Sequence, residues 1–191
     1  DIDRLLALDP ADLRPYLQAG HRLVKALAEL EKPVVAAVDG AAAGGGAALA
    51  LCADCLIMGR SARLAFGFIR IGFVPDWGTA WSLARRVGPG RARSILLEGR
   101  TVGAEEALAI GLADRVVPDA EVAAEGLAAA ERFSRAPRQA FALTKRMLQT
   151  LPATLAEALE AETAYQQPCF KSPEFLEGTA AFREKRQPVF E

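Results

Sequence analysis

Lys32-Pro33-Val34-Val35-Ala36-Ala37-Val38-Asp39-Gly40-Ala41-Ala42-Ala43-Gly44-Gly45-Gly46-Ala47-Ala48-Leu49-Ala50-Leu51 is the stretch whose reading decides the fold class. Val34 to Val38 is a short apolar run of the kind a buried strand carries, and Ala47 to Ala53 reads as a helix. Asp39-Gly40 is a turn between them, and Ala41 to Gly46 reads as a small-residue loop. A glycine-rich turn entering a helix leaves backbone N–H groups without intrahelical acceptors, and these can hold an anion or a developing oxyanion. The alternative is that Gly44 to Gly46 only let a helix and a strand pack closely.

Outward from this stretch, strands and helices alternate. Leu13 to Leu30 has helical spacing of Leu13, Leu17, Val24, Leu27 and Leu30, and Lys32-Pro33 ends it. Leu56 to Met58, Arg63 to Phe66 and Ala113 to Val117 read as strands. Thr79 to Val87, Gly90 to Glu98 and Ala104 to Ile110 read as helices. Phe73 to Gly78 reads as a loop. The alternation predicts an α/β architecture. Beyond Pro118 the pattern is helical throughout, over 121–134, 137–150, 153–167 and 173–185. Residues 1–134 are therefore expected to form an α/β core and 135–191 a helical region that packs on another subunit.

The chain has 191 residues, half of them apolar, with a net charge of −1. That is enough for a packed core. It provides no basic surface for nucleic acid and no run long enough to span a bilayer. Asp1-Ile2-Asp3-Arg4 does not read as a signal peptide. Three cysteines, Cys52, Cys55 and Cys169, make no disulfide framework and fit a reducing cytoplasm. Cys52-Ala53-Asp54-Cys55 has no second ligand pair and lies in an apolar passage, so it reads as buried packing. His21 is the sole histidine. With one histidine, triads and His-rich metal sites are excluded, and His21 reads as a helix flank. Arg85, Arg86, Arg91 and Arg93 read as solvated helix ends, and Glu105, Glu106, Glu121 and Glu125 as first-turn carboxylates.

The glycine segment above resembles the signature of the crotonase superfamily, the enoyl-CoA hydratases and isomerases. So do Gly111-Leu112-Ala113-Asp114-Arg115-Val116-Val117 and Glu177-Gly178-Thr179-Ala180-Ala181-Phe182-Arg183-Glu184-Lys185-Arg186. The resemblance implies a ββα superhelix ending in a helical trimerisation region. It implies an acyl-CoA thioester as substrate and partner, in a homotrimer or homohexamer. It implies no cofactor or metal, coenzyme A arriving as part of the substrate. By motif position Gly45 carries one of the two N–H groups that polarise the thioester carbonyl, with Ala43 and Gly44 beside it. The second donor belongs to a loop before a long helix. Asp1-Ile2 resembles the end of that loop, so the first strands and helix of the family are expected to lie outside this chain.

Hydratases of the family use two glutamates. The resemblance places these positions at Ala48 and Phe68, neither of which transfers a proton. Asp76, in Gly72-Phe73-Val74-Pro75-Asp76-Trp77-Gly78-Thr79, resembles the carboxylate of the isomerase and dehalogenase branches. Burial among Phe66, Phe68, Phe73, Trp77 and Trp81 would raise its pKa. Asp76 could instead cap the helix that starts near Thr79. Phe182 and Lys185 match positions that meet the adenine and phosphate of coenzyme A in relatives, or they belong to an ordinary exposed helix. Three readings follow: an acyl-CoA isomerase with Gly45 and Asp76, a hydratase, hydrolase or dehalogenase variant on the same fold, and a non-catalytic CoA-binding protein.

Overall fold

The computed structural model describes residues 2–190. Asp1, expected to end the donor loop, lies outside them, as does Glu191. The chain divides into two compact units, Asp1–Ala28 with Val34–Leu127, and Glu29–Pro33 with Ala128–Glu191.

In the first unit, α1 (Ile2–Leu6) leads through a 3-10 turn to α2 (Leu13–Ala28). Asp9 caps that turn by accepting from the Ala11 N–H at 2.9 Å. Then come β1 (Val35–Val38), β2 (Ala41–Ala43), α3 (Gly45–Leu51), β3 (Cys55–Gly59), β4 (Arg63–Ala65), α4 (Thr79–Val87), α5 (Pro89–Leu97), β5 (Thr101–Gly103), α6 (Ala104–Ala109), β6 (Arg115–Val117) and α7 (Val122–Ser134). The strands form two three-stranded sheets, ordered β1-β3-β6 and β2-β4-β5. The first is parallel throughout. In the second, β2 is parallel and β5 antiparallel to β4. The chain thus passes from one sheet to the other and into a helix, and then repeats, which is the ββα step expected.

β3 lies at the centre of its sheet and is buried along its whole length, as an apolar run covered on both faces should be. Leu56 and Met58 enter a core with Ala47, Ala50 and Leu51 of α3, Leu83 and Val87 of α4, and Ile95 of α5.

One polar device recurs at the strand starts. The Asp54 N–H donates to Val34 O at 2.8 Å, and the Val34 N–H donates back to Asp54 Oδ2 at 2.8 Å. The Asp114 N–H donates to Leu56 O at 2.8 Å, and the Leu56 N–H to Asp114 Oδ2 at 2.7 Å. Each aspartate directly precedes its strand, as the second residue of an Ala-Asp pair. The side chain takes the N–H that a neighbouring strand would otherwise leave open.

Several boundaries differ from the sequence expectation. Residues 41–43, expected as loop, form β2, because their backbone pairs with β4. α3 opens at Gly45 rather than Ala47, and β5 and α1 carry no sequence forecast. Arg86 is no solvated helix end, since it donates to Ala53 O at 2.6 Å and Leu112 O at 3.1 Å.

The second unit contains the end of α7 with α8 (Arg138–Thr150), α9 (Leu155–Cys169) and α10 (Pro173–Glu184). α9 opens with a capping box between Thr154 and Glu157. α10 opens with Ser172 accepting from the Phe175 N–H at 3.1 Å and Pro173 at its first position. Lys145 is buried and donates to Lys32 O at 3.1 Å. Among the described residues no helix is long and apolar enough to cross a membrane.

Candidate active site

The glycine turn is built by β2 and α3. Gly44 has φ 51° and ψ −116°, a backbone that glycine adopts without a Cβ penalty. Its N–H donates to Ala65 O at 3.2 Å, extending the β2–β4 ladder by one residue. The N–H groups of Gly45 and Gly46 begin α3, where the first turn has no intrahelical acceptors. A Cβ on Gly45 would stand 2.9 Å from Cζ3 of Trp77.

Asp76 and Trp77 lie in the segment between the 3-10 turn at Gly67–Ile71 and α4. Trp77 has φ 48° and Gly78 φ 74°. A left-handed bulky residue is strained by about 1–3 kcal/mol. Both the N–H and Oγ1 of Thr79 donate to the Asp76 carbonyl, at 2.9 and 2.7 Å. The main chain of Asp76 thus supports the start of α4, and its carboxylate is left for other use. Asp76 Oδ1 is buried without a hydrogen-bond partner, and so is Trp77 Nε1. Burial pushes the Asp76 carboxyl above its ordinary value, opposed by a hydrogen bond from its own backbone and by the charge of His21. His21, expected as a helix flank, is therefore electrostatically coupled to Asp76.

A cavity of about 560 Å³ brings Ala43, Gly44, Gly45, Phe68, Asp76 and Trp77 together. That volume suits a small ligand. Leu5 and Tyr16 from the N-terminal helices, Leu49 and Phe73 complete much of the wall. Asp76 is the sole carboxylate among the described residues lining it. Phe68 is 7% exposed. Ala48 is 1% exposed and is not part of the wall.

Within the first unit the structure separates two expected residues, Trp81 and Phe66, from this group. Trp81 is 55% exposed, because Thr79, Ser82 and Leu83 turn the buried face of α4 away from it. The Arg85 guanidinium lies 4.2 Å from its ring centroid. Trp81 therefore does not help bury Asp76. Phe66, fully buried, belongs to the core and not to the cavity wall. Phe182, 85% exposed, and Lys185, the left-handed residue closing α10, belong to the second unit. Two residues escape the sequence reading. Tyr16 carries no signal. Gly20 does, as an isolated glycine inside a helical pattern, and it is buried against Trp77.

A family model described as enoyl-CoA hydratase/isomerase matches residues 1–191. A Rhodobacter capsulatus protein named "Probable enoyl-CoA hydratase" is 42% identical over 169 residues, covering 88% of this chain and 66% of its own length. The 1,2-epoxyphenylacetyl-CoA isomerase of Escherichia coli K12 is 38% identical over 169 residues, covering 88% and 64%. The crystal structure of an enoyl-CoA hydratase from Polaromonas sp. JS666 aligns with a TM-score of 0.94 at 29% identity, covering 100% of this chain and 76% of that one. The chain spans about two thirds of the length of the curated relatives it matches.

Proposed function

The chain belongs to the enoyl-CoA hydratase/isomerase family, and from that premise we propose that its cavity shifts a proton along an acyl-CoA thioester. The observation that carries this reading is the cavity's single carboxylate. Asp76 is half-buried, its Oδ1 is buried without a partner, and it shares the wall with Gly45, while the two hydratase positions hold Ala48 and Phe68.

For a 3-enoyl thioester, Asp76 takes the proton at C2. The C2–H electron pair moves into the thioester, and the resulting enolate oxygen accepts from the Gly45 N–H. The protonated Asp76 then returns the proton at C4 as the double bond moves to C2–C3. One proton leaves and one returns, and no water, metal or redox group enters the balance. A pKa raised by burial suits this role, because it makes the carboxylate a stronger base. The Escherichia coli relative named as an isomerase supports this reading.

The hydratase name of the Rhodobacter relative supports a second reading, in which water adds across the double bond. One experiment separates the two. 3-Enoyl-CoA and 2-enoyl-CoA are each incubated with the protein in 18O-labelled water. The proton shift turns 3-enoyl-CoA into 2-enoyl-CoA without 18O, and hydration turns 2-enoyl-CoA into an 18O-labelled hydroxyacyl product. Thioester binding without turnover would instead favour a non-catalytic CoA-binding protein. The reading carries with it a homotrimer or homohexamer formed through the helical region, acting in the cytoplasm; light scattering and fractionation test both.

A further inference from the structure

Trp77 is seated between two glycines. An ideal Cβ on Gly20 of α2 would stand 2.0 Å from Cε2 and 2.1 Å from Nε1 of the indole. An ideal Cβ on Gly45 of α3 would stand 2.9 Å from Cζ3 and 3.2 Å from Cε3. The ring therefore fills the space between the two helices, with its nitrogen side toward α2 and its benzo side toward α3. No side chain fits at Gly20 unless the ring moves. The left-handed backbone of Trp77 and its unpartnered, buried Nε1 show that the surroundings hold the ring against its local preferences.

We propose that Trp77 is a specificity-determining residue whose indole, seated between Gly20 and Gly45, limits the bulk of the acyl group next to the thioester. The proposal rests on the acyl-CoA reading above. A carbonyl oxygen held by the Gly45 N–H places the adjoining acyl carbons beside the ring edge that touches Gly45. A straight chain passes such an edge, whereas a carbon branched directly beside the carbonyl meets it. Asp76 is the preceding residue, so the same ring bounds the space in which the base meets those carbons. An apolar wall of this kind discriminates by roughly tenfold or more per misplaced carbon group.

Saturated thioesters test the wall without turnover, since they have no double bond to shift. The whole protein is titrated by calorimetry with butanoyl-CoA and with 2,2-dimethylpropanoyl-CoA. The unaltered protein is expected to bind the straight thioester roughly tenfold more tightly. Trp77→Ala brings the ratio toward one. Gly20→Ala keeps the tryptophan but drives its ring from the slot, and lowers the ratio in the same direction. Trp77→Phe gives an intermediate ratio and carries the test if Trp77→Ala fails to fold by circular dichroism. Trp77 and Trp81 are the two tryptophans of the chain, so a Trp81→Phe background isolates the emission of Trp77. Butanoyl-CoA should change that emission and free CoA should not. An unchanged ratio in every folded variant, or emission blind to the acyl group, overturns the wall and leaves the proton shift standing. A collapsed ratio in a protein that turns over no enoyl-CoA supports the wall and removes only the proton shift. Absence of any thioester binding removes the acyl-CoA reading and the wall together.

Discussion

Arg86 Nη1 lies 3.3 Å from Asp114 Oδ2, and the same guanidinium holds the carbonyls of Ala53 and Leu112. The arginine side chain is 15% exposed. One residue of α4 thereby ties the segment entering β3 to the segment entering β6. Arg86→Ala leaves two carbonyls and a carboxylate short of a donor, and should destabilise the fold by about 2 kcal/mol. Arg86→Lys should recover little, since an ammonium lacks the fork. The urea midpoint measures this, and an unchanged midpoint would return Arg86 to the status of a solvated helix end.

Asp76→Asn should lower the rate of the proton shift by roughly 10²–10⁴-fold. The unaltered protein should lose kcat/KM as pH falls, with the acid limb centred above the ordinary 3.8 because burial raises the carboxyl. The stability effect has the opposite sign. A carboxyl whose folded pKa is raised costs stability once pH exceeds its unfolded value. Asp76→Asn should therefore raise Tm at neutral pH, with the gain fading below about pH 4. A variant with full activity would exclude Asp76 as the base.

His21 lowers the Asp76 pKa through its charge. His21→Gln should move the acid limb of the rate profile to higher pH without changing the plateau rate. A profile that stays in place would show that the two side chains do not communicate in solution.

Glu177 accepts a two-pronged contact from Arg186, at 2.6 and 2.9 Å, and the Val189 N–H at 2.8 Å. Chiefly through Arg186, its pKa falls from 4.5 to about 2. This contribution is complete above about pH 4.5 and is lost as pH drops through about 2. The Tm difference between the unaltered protein and Glu177→Gln should therefore be constant near neutrality and shrink on acidification below pH 4.5. A difference that grows with acid would contradict the assignment.

Legibility in the sequence followed partner dependence. β3 shows as an apolar run because burial on both faces leaves little room for polar residues, and β1 shows as one although it is only partly buried. β2 and β5 do not show. Ala41–Ala43 and Thr101–Gly103 have three residues each, too few to show an alternating pattern, and they become strands because β4 pairs with both. At the site, the turn at Gly44 to Gly46 was legible because glycines leave a local mark, whereas Asp76 stood out only through its resemblance in position to the carboxylate of relatives. The place of Trp81 was not legible, since which face of α4 turns inward is settled by packing. Gly20 became meaningful only once Trp77 was found against it.

The paired bonds of Asp54 with Val34 and of Asp114 with Leu56 occupy equivalent rungs, one position before the first paired residues of β1–β3 and just before those of β3–β6. A one-residue slip of β3 would pull both contacts apart in a single movement, stranding a carboxylate on either side of the same strand. Neighbouring parallel strands have no tight hairpin to set their alignment. Here the misaligned pairing is penalised by charge at two rungs at once, so the spiral proof-reads its own register as it winds.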